Sequence, residues 1–226
     1  METEVKKEPM EIEVTIQLKS PLQLSSGAAD VNVDTDVILD EWGLPFIPAK
    51  RFRGALYESA LEIVELKECL NETNGPLNRT ILEEVFNRGN QESEVRTSFE
   101  DFRIKGYQQV IKDLEVFSHM YGDVVGYNRI RNAFTSLRYQ TAIDEKKGIA
   151  KDGSLRNMRV VDNTSFVFEG TIRIEQGTAD HQMLLAVALE NLTAIGFKRN
   201  RGFGRIDCSM EEQKELVEDA LDGSRR

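Results

Sequence analysis

Ten residues near the end of the chain, 196–205, hold three glycines, four basic side chains, two phenylalanines and no acid. Glycine lets a backbone take positive φ and approach a ligand closely. Lys198, Arg199, Arg201 and Arg205 are side chains that suit phosphate oxygens. A glycine helix cap followed by a solvated basic turn would use the same residues. A nucleotide P-loop is excluded: the Gly-Lys-Ser/Thr ending is missing, and a helical pattern enters the loop where a strand should. A second basic group, Lys50, Arg51 and Arg53, follows Pro48 and falls in the first turns of a helix. Positive charge is unfavourable there unless an anion is bound at the same helix end. A third group is Asp34, Asp36 and Asp40, whose spacing puts the carboxylates on one face if the segment is extended. Closely spaced carboxylates hold a hard cation such as Mg²⁺. A calcium loop would need glycine and glutamate at positions where this chain has neither, and a solvated acidic loop is the reading these residues alone favour.

The elements that must position these groups alternate between strand and helix. Ile12, Val14, Ile16 and Leu18 share one face of a strand. Leu56, Ala60, Ile63 and Val64 are spaced for a helix that runs from Pro48 to about Leu70. Short helices are expected near residues 81–86 and 107–120, inside a segment, 68–128, read as a helical insertion. Residues 129–139 read as a strand. The polar stretch from Asp144 to Arg159, with Lys146, Lys147, Lys151 and Arg156, reads as a long basic hairpin or a surface loop. Phe166, Phe168, Ile172 and Ile174 mark the clearest strand, and Leu185, Ala188, Leu189 and Leu192 a helix behind a Thr178 cap. Residues 204–210 form the last strand, before an acidic helix and tail over 211–226. Strand, helix, strand, strand, helix, strand is the order of an α+β, ferredoxin-like βαββαβ fold, here a single domain over 1–226 with a hairpin at 140–162.

Net charge is −10, which argues against a general nucleic-acid binder, but the charge is unevenly spread. Residues 45–57 carry three basic groups and no acid. Residues 129–159 carry eight against three, and residues 196–205 four against none. The rest of the chain is therefore strongly acidic, a distribution compatible with one focused polyanion groove. No apolar run is long enough to span a membrane, and the polar first residues are not expected to be a secretion signal. Cys69, Cys208, His119 and His181 lie apart without metal-ligand spacing, so a reduced, cytoplasmic protein without structural zinc is expected.

These motifs fall where the RAMP superfamily of CRISPR effector proteins carries its own. Residues 43–54 resemble that family's segment at the start of the first helix, and 196–204 its C-terminal glycine-rich loop. Residues 34–40 resemble a loop of the type III backbone subunit, and the long hairpin resembles that subunit's thumb. The sequence departs from the pattern in three places. Ala49-Lys50-Arg51 stands for Gly-Ser-Ser, Phe197 replaces a paired glycine, and Gln23 stands where a histidine is often found after the first strand.

The resemblance implies a backbone subunit that binds guide RNA and complementary target RNA beside other RAMP subunits or further copies of itself. Lys50, Arg51, Arg53, Arg129, Arg131, Lys146, Lys147, Lys198, Arg199, Arg201 and Arg205 would contact phosphates. Gly54, Gly196, Gly202 and Gly204 would let backbone approach RNA. Asp34, with Asp36 as fallback, would hold Mg²⁺ for endonuclease cleavage of the target. A non-catalytic scaffold subunit, a metal-independent guide-processing ribonuclease with a histidine base, and an unrelated ferredoxin-like interaction module are the alternatives.

Overall fold

Strict alternation in the first strand, β1 (Met10–Leu18), places Ile12, Val14, Ile16 and Leu18 in the core. A long helix, α1 (Ala49–Cys69), follows. It buries Phe52, Leu56, Ala60 and Val64 at helical spacing. Next come α2 (Arg79–Val85) and two short strands, β2 (Arg96–Phe99) and β3 (Arg103–Ile104). Two helices, α3 (Tyr107–Tyr121) and α4 (Tyr127–Phe134), lead into the hairpin strands β4 (Thr135–Gln140), β5 (Ile143–Asp144), β6 (Ile149–Ala150) and β7 (Arg156–Val161). The chain closes with β8 (Val167–Glu175), α5 (Ala179–Asn191), β9 (Ile206–Met210) and α6 (Gln213–Gly223). This is a computed structural model, and it describes residues 8–25, 27, 33–72, 74–88, 93–122, 126–144, 148–162 and 165–223.

The main sheet runs β2–β8–β1–β9, all antiparallel, with β3 also on β8. With α1 and α5 packed together, this is the ferredoxin-like arrangement. Ser59 binds the two helices by donating its hydroxyl to Ala188 C=O at 2.8 Å. His181 lies buried at the start of α5. Its Nδ1 accepts from Thr178 N–H at 2.9 Å and its Nε2 faces Glu84 at 3.0 Å, so the ring is a helix cap with its proton on Nε2. The opposite sheet face carries Glu11, Glu13 and Thr15 from β1 and Glu169, Thr171 and Arg173 from β8. Among these β1 and β8 residues there is none of the stacking aromatics with which RNA-binding sheets hold bases, and Glu11 is paired with Arg173.

Two sequence expectations are corrected. The second core strand is β2, inside the 68–128 segment read as a helical insertion, and not the 129–139 segment. Residues 127–134 are helical, so Arg129 and Arg131 sit on α4, and β4 pairs with β7 away from the main sheet. The cause is local: Gly126 opens a helix that buries Ile130 alone, and so short an amphipathic turn alternates much as a strand does.

Candidate nucleic-acid interface

The start of α1 is fixed by long-range contacts. Ile47 exchanges backbone hydrogen bonds with Phe102, both at 2.9 Å, and Ala49 N–H donates to the Asp101 carboxylate at 2.8 Å. The Phe102 ring lies over Gly170, where an added Cβ would come within 2.8 Å of it. Upstream, Asp40 accepts from Trp42 N–H, Leu44 N–H and Tyr107 O–H, and Arg103 lies between the Phe46 and Tyr107 rings. Burial and the hydrogen bond to Asp40 push the Tyr107 phenol up from its usual value.

The glycine-rich loop closes against the same region. Ala194 bridges Arg205, Ile195 N–H donates to Gly204 C=O at 2.9 Å, and Phe197 N–H donates to Gln23 C=O at 2.8 Å. Gly196 and Gly204 are required by this closure. A Cβ at Gly196 would lie 2.5 Å from Gln23 O, one at Gly204 1.8 Å from Ile195 O, and both residues have positive φ. Gly202 and Gly54 face open space.

Between the loop and α1 runs a groove of about 560 Å³. Lys50, Arg51, Gly54 and Glu58 line one wall, Gly196, Phe197 and Arg199 the other, and Glu58 lies 3.6 Å from the Arg199 guanidinium. Arg53 does not line the groove, although at about 100° per helical residue it lies only about 60° from Lys50 around the axis of α1. Arg53 instead donates to Phe86 C=O at the end of α2 and lies 6.0 Å from the Phe99 ring. No acid occupies the first turn of α1. Of the other expected RNA contacts, Arg129 is exposed on α4, Arg131 is half-buried 5.9 Å from the Tyr127 ring, and Arg205 is exposed; none of the three lines the groove. Lys146 and Lys147 lie outside the described residues.

At the hairpin base a second basic cluster forms. Lys198, held at φ +60°, donates to Gln140 and lies 3.6 Å from Met158 Sδ. Burial, then repulsion from Arg201 and Arg156, holds its ammonium below the usual lysine value. Three mutually repelling cations are a fitting place for a polyanion. Arg156 was missed as a site residue, because only the fold brings β7 to the loop.

The three aspartates do not converge. Asp34 runs beside β7: its N–H donates to Asn157 Oδ1 at 2.9 Å, and its Oδ2 accepts from Asn157 N–H at 2.8 Å. The side chain remains exposed. Asp36 faces Arg159 at 3.1 Å, and that guanidinium is only 6% exposed. Among the described residues no three His, Cys, Asp or Glu side chains are grouped to hold a metal. Neither His119, exposed on α3, nor the buried His181 lines the groove.

A family model of the RAMP superfamily matches residues 15–207, most of the chain and every group just described. The chain belongs to the RAMP superfamily. Comparison of this RAMP chain with curated proteins finds no match. Among solved structures it is similar to a chain in the cryo-EM structure of the Type III-B Cmr-beta bound to cognate target RNA. The TM-score is 0.63 at 14% identity, over 92% of this chain and 99% of the other. It is also similar to a chain of Type III-B Cmr-beta in the apo state, with TM-score 0.64, 14% identity and the same coverage. At that identity the likeness establishes the RAMP fold, and what the groove binds has to be argued from its chemistry.

Proposed function

We propose that this chain is an RNA-binding subunit of a type III CRISPR effector complex. It lies along guide RNA and its complementary target, beside other RAMP subunits or further copies of itself. The observation that carries the reading is the groove itself. On an acidic chain it brings Lys50, Arg51 and Arg199 together from two distant segments; Glu58 pairs with Arg199, and Lys50 and Arg51 stand in a first helical turn that lacks acid. Sequence reading in such a system belongs to base pairing, and the protein holds backbone. The similarity to a chain of Type III-B Cmr-beta bound to cognate target RNA supports the same reading. Among the described residues no helix is long and apolar enough to cross a membrane, and a cytoplasmic place goes with the proposal.

The finer reading is metal-dependent endonuclease cleavage of target RNA, with Asp34 as the catalytic carboxylate. Mg²⁺ is commonly held by one or two carboxylates plus substrate phosphates and water. One exposed Asp34 fits a cation shared with RNA, although it does not make a cage of its own. Such a cation would stabilise charge developing on the phosphate and the leaving oxygen. Asn157 holds the Asp34 carboxylate in place, and Arg156, Lys198 and Arg201 offer positive charge to the phosphates beside it. The reading of a non-catalytic subunit is favoured by the same Asn157 bonds, since they give Asp34 a task in pinning its loop. The test is the assembled complex on guide-complementary RNA, wild type against Asp34→Ala, with Mg²⁺ and with EDTA. Mg²⁺-dependent cuts that vanish in the variant while RNA stays bound support catalysis; unchanged cuts leave Asp34 as a loop anchor. Absence of RNA binding refutes the whole reading.

A further inference from the structure

We infer that the groove between α1 and the glycine-rich loop takes an unpaired nucleobase, stacked on Phe197 and met at the floor by the Gln23 amide. The inference rests on the RNA-binding reading and goes beyond it, since phosphate contacts alone require neither residue.

Gln23 is fully buried, and neither Oε1 nor Nε2 has a hydrogen-bond partner. A buried amide with both ends unmet is rare in a folded protein. Gln23 lines the groove, so a ligand there is the nearest source of partners. The chemistry of that ligand is constrained. A phosphate offers acceptors and would satisfy Nε2 alone. A cation would satisfy Oε1 alone. The edge of a nucleobase presents a donor next to an acceptor and matches both ends of a glutamine amide.

Phe197 supplies the second part. Its ring is 56% exposed although its backbone is pinned to Gln23 C=O. Lys198 Nζ lies 5.4 Å from the ring centroid. An exposed aromatic ring in a basic groove is the arrangement with which single-stranded RNA is held, because every base has a π-face. Lys50 and Arg51 line the same groove, placed for a phosphate next to the base, and Arg199 lines it 3.6 Å from Glu58. Gln23 and Phe197 line the groove side by side, joined by the hydrogen bond from Phe197 N–H to Gln23 C=O.

The experiment uses the full chain and two fluorescent eight-nucleotide probes, one of oligouridine and one an abasic ribose-phosphate oligomer of equal charge. Wild type is expected to bind the base-bearing probe about tenfold more tightly, the size of one base–aromatic stack of ~1.4 kcal/mol. Phe197→Ala, a change at an exposed ring, should remove that preference and leave abasic affinity unchanged. Gln23→Leu should also reduce the preference with no loss of thermal stability, since it removes an unpaired buried amide. Equal affinity of wild type for both probes, or a Phe197→Ala loss shared by both, overturns the base site. A preference unchanged in Gln23→Leu overturns the role of Gln23. Failure of wild type to bind either probe refutes the RNA-binding reading, and the base site falls with it.

Discussion

Replacing Lys50 and Arg51 together by glutamine, and separately replacing Arg53, should have opposite effects on binding and on stability. The two exposed side chains stand in the acid-free first turn of α1 and line the groove. If each neutralises one phosphate of a single strand, the slope of log affinity against log salt flattens by ~0.7 per contact, so ~1.4 for the pair. The same substitutions remove charge that the helix dipole disfavours, so stability should hold or rise by about 0.3–1 kcal/mol per residue. Arg53 is half-buried and gives its charged hydrogen bond to Phe86 C=O. Losing it should cost about 1.5 kcal/mol, the low end for a hydrogen bond to a charged group. For a chain of this size that is about 3–6 °C in Tm. Its salt slope should not change. The assay is RNA binding by fluorescence polarisation at four or five salt concentrations, with thermal denaturation of each variant. A flattened slope in Arg53→Gln, with an unchanged slope in the Lys50/Arg51 variant, would refute the assignment of the groove face.

The glycines separate in the same way. Gly204→Ala, whose Cβ would collide with Ile195 O at positive φ, should destabilise by at least ~2 kcal/mol in denaturant unfolding, whereas Gly54→Ala should stabilise α1 by up to ~1 kcal/mol and reveal any close RNA approach as lost affinity alone. Asp36→Ala should cost about 3 kcal/mol or more, because it leaves buried Arg159 without its ion pair; a cleavage defect in that variant is informative only at temperatures where the melting curve shows it folded. Lys198 has a folded pKa below its unfolded value, so the unfolded chain holds more protons between the two and stability rises with pH across that window. Lys198→Met should therefore melt at a higher temperature than wild type at pH 7, with the difference shrinking as pH approaches 10.5, the usual lysine value; a constant difference would show that the depressed ammonium is not its source.

How much of this was legible before the fold follows from where each signal lives. β1 and β8 are buried on one face over nine residues each, so alternation alone finds them. β2 is a four-residue edge strand that buries only Thr97, and so short a segment carries no readable period. The basic and glycine-rich character of the loop was plain, but the division of labour among its glycines was not. Gly196 and Gly204 are set by carbonyls at residues 23 and 195, and Gly202 meets nothing. Asn157 is 123 residues from Asp34, and no local pattern links them. The displacement of Arg53 from the groove was not available from helical periodicity, which puts it about 60° from Lys50 around the axis and about 160° from Arg51. Its place is set by Phe86 C=O at the end of α2.

An acidic chain that binds RNA has to confine its positive charge. On the outer sheet face Glu11 is paired with Arg173 and Glu169 with Lys105, while the groove and the hairpin base collect cations from three separate segments. β7 joins the two halves of the site. Met158 sits against Lys198 of the loop, Asn157 holds Asp34, and Arg159 is neutralised by Asp36. A shift of β7 along β4 would therefore move the basic cluster and the Asp34 carboxylate together. Their relative placement, on which any use of Asp34 against a bound phosphate depends, is set by one strand and not by the flexible reach of two loops.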